Sequence, residues 1–170
     1  MEDHRTSLAA FNAAPAAAAR PLLLACVPVE RWADEILAGR PYADRSAVLA
    51  VAERAAEPWS RAEIDRALAA HPRIGERPVA PGAEAALSRS EQSGVDPDDA
   101  DVARRLAEGN RAYEERFGYV FLVRAAGRDA HEILAALDER LGHAPHEEIQ
   151  VAARNLREIA VLRLERMLDA

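Results

Sequence analysis

A single cysteine, Cys26, is all the thiol chemistry available to this chain of 170 residues. One cysteine excludes an internal disulfide and any thiolate-cluster metal site. It lies in the apolar stretch "PLLLACVP", where it reads as a small core residue. Clustered positive charge is also missing. The net charge is −7, and no basic block is interleaved with aromatic residues. Nucleic acid rewards such clusters, so a DNA or RNA partner is not expected. A small anionic substrate remains compatible, because a few placed arginines can hold one. No apolar run approaches the length of a membrane span, so no membrane partner is expected. The N-terminal "MEDHRTSLAAF" has no basic flank before a long apolar segment, and the C-terminal "RMLDA" carries no retention or peroxisomal tripeptide. The expectation is a cytoplasmic protein. HExxH, GxSxG and a phosphate-binding glycine loop are absent too.

What is present is ordinary for a globular protein: 49% apolar and 30% charged residues. The length suits one domain, residues 1–170, with one core. Helical patterns fill most of the chain. "SLAAFNAAP" reads as a short first helix ending before Pro15. "PVERWADEILAG" opens with Pro28 and stops at Gly39, proline in and glycine out. "DRSAVLAVAERAAE" runs from an Asp44 cap to Pro58. Ser60 and Glu63 form a capping box, flanked by Trp59 and Ile64 at hydrophobic-staple positions. "GAEAALSRSEQSG" ends at Gly94, and Asp96 with Pro97 opens a long helix carrying Val102, Leu106, Tyr113 and Phe117 at helical spacing. Asp129 and Glu132 make a second capping box, and "PHEEIQVAARNLREIAVLRLERML" closes the chain. Only "YVFLV", 119–123, looks extended, and one such segment cannot build a sheet. It reads as a connector through the core. The loop "GERPVAPGAE", 75–84, lies inside the domain. The fold class expected is all-α, a single-domain bundle of about eight helices.

Several side chains invite a chemical reading. His71, in "HPRIGE", continues the face of Ile64, Ala67 and Leu68, and Pro72 pushes it out of helical dihedrals. It either closes the helix against its last carbonyls or faces a site. Ser88, Glu91 and Gln92 share one helical face, which is either solvated or a polar wall of a site. Arg163 interrupts the apolar stripe Ile149, Ala152, Ala153, Leu156, Ile159, Ala160, Leu164, Met167. A guanidinium there needs an internal anion, a route for its head to water, or a bound one. His143, His146 and Glu147 straddle a proline at a helix start and read as surface.

Taken together, the segments "FNAAP", "RWADEI", "AAHPRIGE", "SRSEQSGV", "NRAYEERFGYVFLVRAAGR" and "IAVLRLERML" resemble the 2-oxo-4-hydroxy-4-carboxy-5-ureidoimidazoline (OHCU) decarboxylases, enzymes of the route from urate to allantoin. HPRIG, then SxxEQ, then NxxYxxRFG, in that order, is what makes the resemblance specific. It implies an all-helical enzyme that uses no cofactor and takes a small anionic ureidoimidazoline substrate, and related proteins suggest a homodimer; with no ligand cluster in the sequence, no metal is expected. It assigns catalysis to His71 and Glu91. Around the ligand it places Pro72, Ser88, Gln92, Arg163 and the backbone of the FLV segment, within the window Phe121, Leu122, Val123, Arg124 and Ala125. It gives no role to Arg73 or Glu76.

Overall fold

The computed structural model describes residues 6–75 and 99–168. Among them are eight helices and no strand. In chain order they are α1 (Leu8–Ala13), α2 (Ala16–Cys26), α3 (Glu30–Ala38), α4 (Arg45–Ala52), α5 (Arg61–Ala69), α6 (Ala100–Phe117), α7 (Ala130–Leu141) and α8 (Pro145–Met167). The all-α expectation holds. The chain forms two compact units, residues 1–67 with 157–170 and residues 68–156, and α5 and α8 each contribute to both. No helix among the described residues is long and apolar enough to cross a membrane.

Helix starts follow the local chemistry of the sequence. The first N–H groups of a helix have no intrahelical acceptor, so a side chain must supply one. Ser7 does this for α1 and Asp44 for α4, each accepting from the backbone three residues on. Both capping boxes form. Ser60 Oγ accepts from Glu63 N–H at 3.3 Å while Glu63 Oε2 accepts from Ser60 N–H at 2.7 Å. Asp129 and Glu132 exchange the same pair of bonds at 2.9 Å each. Trp59 and Ile64, the two staple positions around the first box, are both buried.

Other boundaries differ from the sequence pattern. The stretch around Cys26 is a helix in its own right, α2, with Pro21 inside it, a residue that breaks the pattern a sequence reader follows. α4 ends at Ala52, well before Pro58; the chain turns, and Ala56 takes a φ of +57°, which no right-handed helix contains. α6 starts at Ala100, with Asp99 as its cap accepting from Asp101 N–H at 2.8 Å. Asp96, Pro97 and the helix expected over "GAEAALSRSEQSG" lie outside the described residues.

In the first unit the core includes Phe11, Leu23, Trp32, Ile36 and Val48. Its aromatic polar ends are satisfied by carbonyls: Trp32 Nε1 donates to Ala52 at 2.9 Å, and Tyr42 Oη donates to Ile36 at 2.8 Å. In the second unit, Ile74, Leu106, Tyr113, Phe121, Ile133 and Leu137 belong to one buried cluster. α6 and α7 approach closely at Gly109, where a Cβ would sit 2.5 Å from Leu137 Cδ2. Tyr113 packs edgewise against Phe121, with centroids 5.3 Å apart, and tilted against Phe117, at 4.7 Å. Gly118, with φ +80°, closes α6 and turns the chain into residues 119–125. That connector pairs with no strand, and Phe121, Leu122, Val123 and Ala125 are buried, as the sequence implied.

Glu63 joins the α5 cap to a second interaction. Arg31 Nε and Nη2 each donate to its carboxylate at 2.8 Å. These hydrogen bonds, reinforced by those from Ser60 and opposed by burial, hold the Glu63 carboxyl down to about 2. An ordinary unfolded glutamate titrates near about 4.3. The stability that Glu63 contributes is therefore complete above that value and is lost as pH falls toward about 2. Thermal melts followed by circular dichroism should show Glu63→Gln melting below wild type at neutral pH, with the two proteins converging as the solution is acidified. A constant gap across the acid range would contradict this.

Candidate active site

The segment after α5 is shaped by its proline. α5 ends at Ala69, and His71 N–H donates to the Leu68 carbonyl at 3.1 Å, which closes the last turn. Pro72 disfavours helical dihedrals at the residue before it, so the chain leaves the helix with the His71 imidazole on its inner side. His71 is only 6% exposed. Gly75, at φ +84°, supplies the left-handed turn at the end of the segment.

α6 holds this segment in place. Asn110 Nδ2 donates to the Ile74 carbonyl at 2.9 Å in a buried bond. One turn later the Glu114 carboxylate accepts two bonds from one edge of Arg73, Nε at 2.5 Å and Nη2 at 2.8 Å. The Arg73 guanidinium keeps the Glu114 carboxyl below the usual carboxylate range against the opposing effect of burial. The i, i+4 spacing of Asn110 and Glu114 sets both on one helix face, so neighbouring residues of the 71–75 segment are gripped together. Arg73, to which sequence reasoning gave no role, is thus half of a clamp. Arg73, Gly75, Leu106, Asn110 and Glu114 are among the residues lining a cavity of about 220 Å³.

The connector 121–125 belongs to the same unit and is pinned along its backbone. Arg140 Nη1 donates to the Leu122 carbonyl at 2.5 Å, and the Arg124 N–H donates to Asn155 Oδ1 at 3.0 Å. The Arg124 side chain faces outward and is exposed. Behind the connector lies a polar network that sequence reasoning missed. Glu148 has no exposed surface, and its partner Arg140 is almost as buried. Glu148 Oε1 accepts from Arg140 Nε at 2.8 Å, from Arg140 Nη2 at 2.5 Å and from Tyr113 Oη. Oε2 meets His143 Nδ1 at 2.8 Å. Burial first, and then the Glu148 carboxylate, push the Tyr113 phenol far above its ordinary range. His143 is therefore corrected from a surface residue to a half-buried partner of Glu148, whereas His146 and Glu147 are exposed as expected. The signal was in the periodicity. Arg140 continues the buried stripe Ile133, Leu137 on α7, and Glu148 extends that of α8, the argument that singled out Arg163.

Arg163 lies in the other compact unit. It is fully buried, as its place on the apolar stripe requires, and its Nη1 donates to the Cys26 carbonyl at 3.2 Å. Cys26 is buried, in keeping with its reading as a core residue. Ser88, Glu91 and Gln92 lie outside the described residues. Among the described residues no group of three or more His, Cys, Asp or Glu is placed to hold a metal ion.

Known proteins match this chain along most of its length. A family model described as OHCU decarboxylase matches residues 12–165. The 2-oxo-4-hydroxy-4-carboxy-5-ureidoimidazoline decarboxylase of Amia calva is 34% identical over 135 residues, covering 78% of this chain and 77% of that protein. The protein of the same name from Haloferax volcanii is 29% identical with the same coverage. A crystal structure of an OHCU decarboxylase in the presence of (S)-allantoin superposes with a TM-score of 0.68 at 25% identity, over 85% of this chain and 95% of that one.

The clamp on the 71–75 segment makes a stability prediction. Asn110→Ala leaves the buried Ile74 carbonyl without this donor and should cost about 1–3 kcal/mol in urea denaturation. Asn110→Asp should cost more, because a carboxylate oxygen would then face the carbonyl. An unfolding midpoint for Asn110→Ala equal to wild type would show that the bond does not hold the segment.

Proposed function

The chain belongs to the OHCU decarboxylase family, and from that membership we propose that it converts 2-oxo-4-hydroxy-4-carboxy-5-ureidoimidazoline to (S)-allantoin in urate degradation, with His71 at the reacting centre. The observation that carries the site assignment is the buried His71, held at the end of α5 by a segment that α6 grips at Arg73 and Ile74. Catalysis by a side chain requires its ring to be fixed relative to the substrate, and a buried residue on a clamped backbone segment supports that reading.

The substrate's chemistry explains the residue types. One ring carbon carries a carboxylate and a hydroxyl, and its neighbour is half of a C=N bond. As CO2 leaves, the electron pair of the broken C–C bond forms a C=C bond and the C=N pair moves onto nitrogen, which takes a proton. The enol so formed loses its hydroxyl proton, and the neighbouring carbon gains one. The substrate supplies its own electron sink, so the reaction calls on no pyridoxal, thiamine or metal. An acid and a base are still needed, and they must act from one face to give a single enantiomer. Histidine titrates near neutrality and serves both roles. In this proposal Glu91 hydrogen-bonds His71 and fixes its orientation. Pro72 shapes the wall beside it, and Ser88 and Gln92 bind the ring and ureido amides. The backbone of 121–125 meets the same amides, and Arg163 holds carboxylate or carbonyl oxygens bidentately. The proposal takes residues 1–170 as one catalytic domain, acting as a cytoplasmic homodimer.

The test generates the unstable substrate in situ from urate, adds the protein and follows allantoin optical activity. We expect (S)-allantoin to form faster than the uncatalysed racemic product. Unchanged rate and rotation would remove the enzymatic reading. His71→Ala and Glu91→Ala should each abolish most turnover at native helical content, and the double variant should be far less than additive. Near-native turnover in His71→Ala would leave that residue only its part in ending α5.

Arg163 has its own test. Lysine keeps the charge but loses the planar fork. Arg163→Lys should melt close to wild type and lose about tenfold in kcat/KM, about 1.4 kcal/mol of transition-state binding. A large fall in melting temperature, with catalysis intact in the folded fraction, would make Arg163 a structural residue instead.

A further inference from the structure

We propose that Arg140 and Asn155 are positioning residues that fix two successive peptide planes of the 121–125 connector and so aim the Val123 backbone at the substrate; this rests on the reading that the connector contacts substrate. The geometry is that of a trans peptide, in which a carbonyl and the following N–H point in opposite directions. Arg140 holds the Leu122 carbonyl, which turns the Val123 N–H away from Arg140. Asn155 holds the Arg124 N–H, which turns the Val123 carbonyl away from Asn155. Among the described residues, the Val123 N–H and C=O take part in none of the hydrogen bonds that pin their neighbours. Val123 is nevertheless only 5% exposed, a setting in which backbone polar groups are almost always paired. A donor and an acceptor on one residue, both fixed in direction, suit an amide or ureido edge, which presents the complementary pair.

Glu148 is what makes Arg140 precise. A lone arginine could meet a carbonyl from many angles. Here Nε and Nη2 are both engaged by Glu148 Oε1, so the guanidinium plane is set before Nη1 reaches Leu122. The same guanidinium lies over the Phe121 ring at 4.8 Å, which holds the start of the connector. Asn155 is fixed as well, its Nδ2 donating to the Val151 carbonyl one turn back in α8 at 3.0 Å. Stability alone gives little reason for such a pair, because apolar residues of similar volume commonly replace a buried ion pair without loss.

Three variants separate positioning from support. Asn155→Ala alters a half-buried side chain. Arg140→Lys keeps the charge without the fork. Arg140→Met with Glu148→Met removes both charges and strands neither. Each is assayed by steady-state kinetics and, with 15N labelling, by the backbone amide shifts that (S)-allantoin induces. We expect KM to rise about tenfold or more while kcat changes less than about threefold. The allantoin-induced shifts at Val123 and Arg124 should shrink, and the pH profile set by the catalytic groups should stay in place. Asn155→Ala should fold, so the test survives if the buried variants do not. Wild-type KM and shifts in the folded variants would overturn the positioning role. A wild-type protein that binds (S)-allantoin with no response anywhere in 121–125 would instead overturn the substrate-contact reading on which it rests.

Discussion

A carboxylate with no exposed surface has to be met where it lies, and Glu148 is met on every side. Removing a charge from water costs several kcal/mol, and only close, well-directed partners recover that cost. The partners come from α6 through Tyr113, from α7 through Arg140, and from the turn before α8 through His143. The network does more than neutralise a charge. It fixes a guanidinium that also grips the Leu122 carbonyl, so the packing of three helices is passed to the backbone of an irregular segment. Irregular backbone cannot satisfy its own polar groups, and a rigid donor from a neighbouring helix does that for it.

The motif "NRAYEERFG" acquires a physical meaning in this light. Its residues look toward different tasks from one helix. Asn110 and Glu114 face the segment that bears His71, and Tyr113 faces the buried carboxylate. Gly118 then releases the chain in a left-handed turn into the connector. One helix therefore grips the segment that bears His71 and leads directly into the connector. The chain contains no lysine, so each of these cationic contacts is made by a planar fork rather than a point charge. Where a contact must set a direction, as at Glu114 and Leu122, the fork is the better tool.

Much of the fold was legible because its signals are local. The caps at Asp44, at Ser60 with Glu63 and at Asp129 with Glu132 depend on residues three apart, and all form as expected. The apolar stripe of α8 and the burial of Arg163 within it follow from helical periodicity. Where the reading slipped, a local signal conflicted with packing. Pro21 hid α2, and nothing near Ala52 announced that α4 would stop there.

The sequence by itself determined the helical class, the caps at Asp44, Ser60 and Asp129 and, through the order of HPRIG, SxxEQ and NxxYxxRFG, the family. These depend on neighbours along the chain or on short fixed spacings. Only the tertiary structure decided which groups face one another. Asn110 meets a carbonyl 36 residues away, Tyr113 a carboxylate 35 residues away, and Arg73 a carboxylate 41 residues away. Glu148, three residues from a proline in a stretch that reads as surface, became the most enclosed charge among the described residues of its unit because α6 and α7 closed over it. No spacing rule spans such distances; the partner of a buried polar group is set by which helix faces pack together, and that is a property of the folded chain.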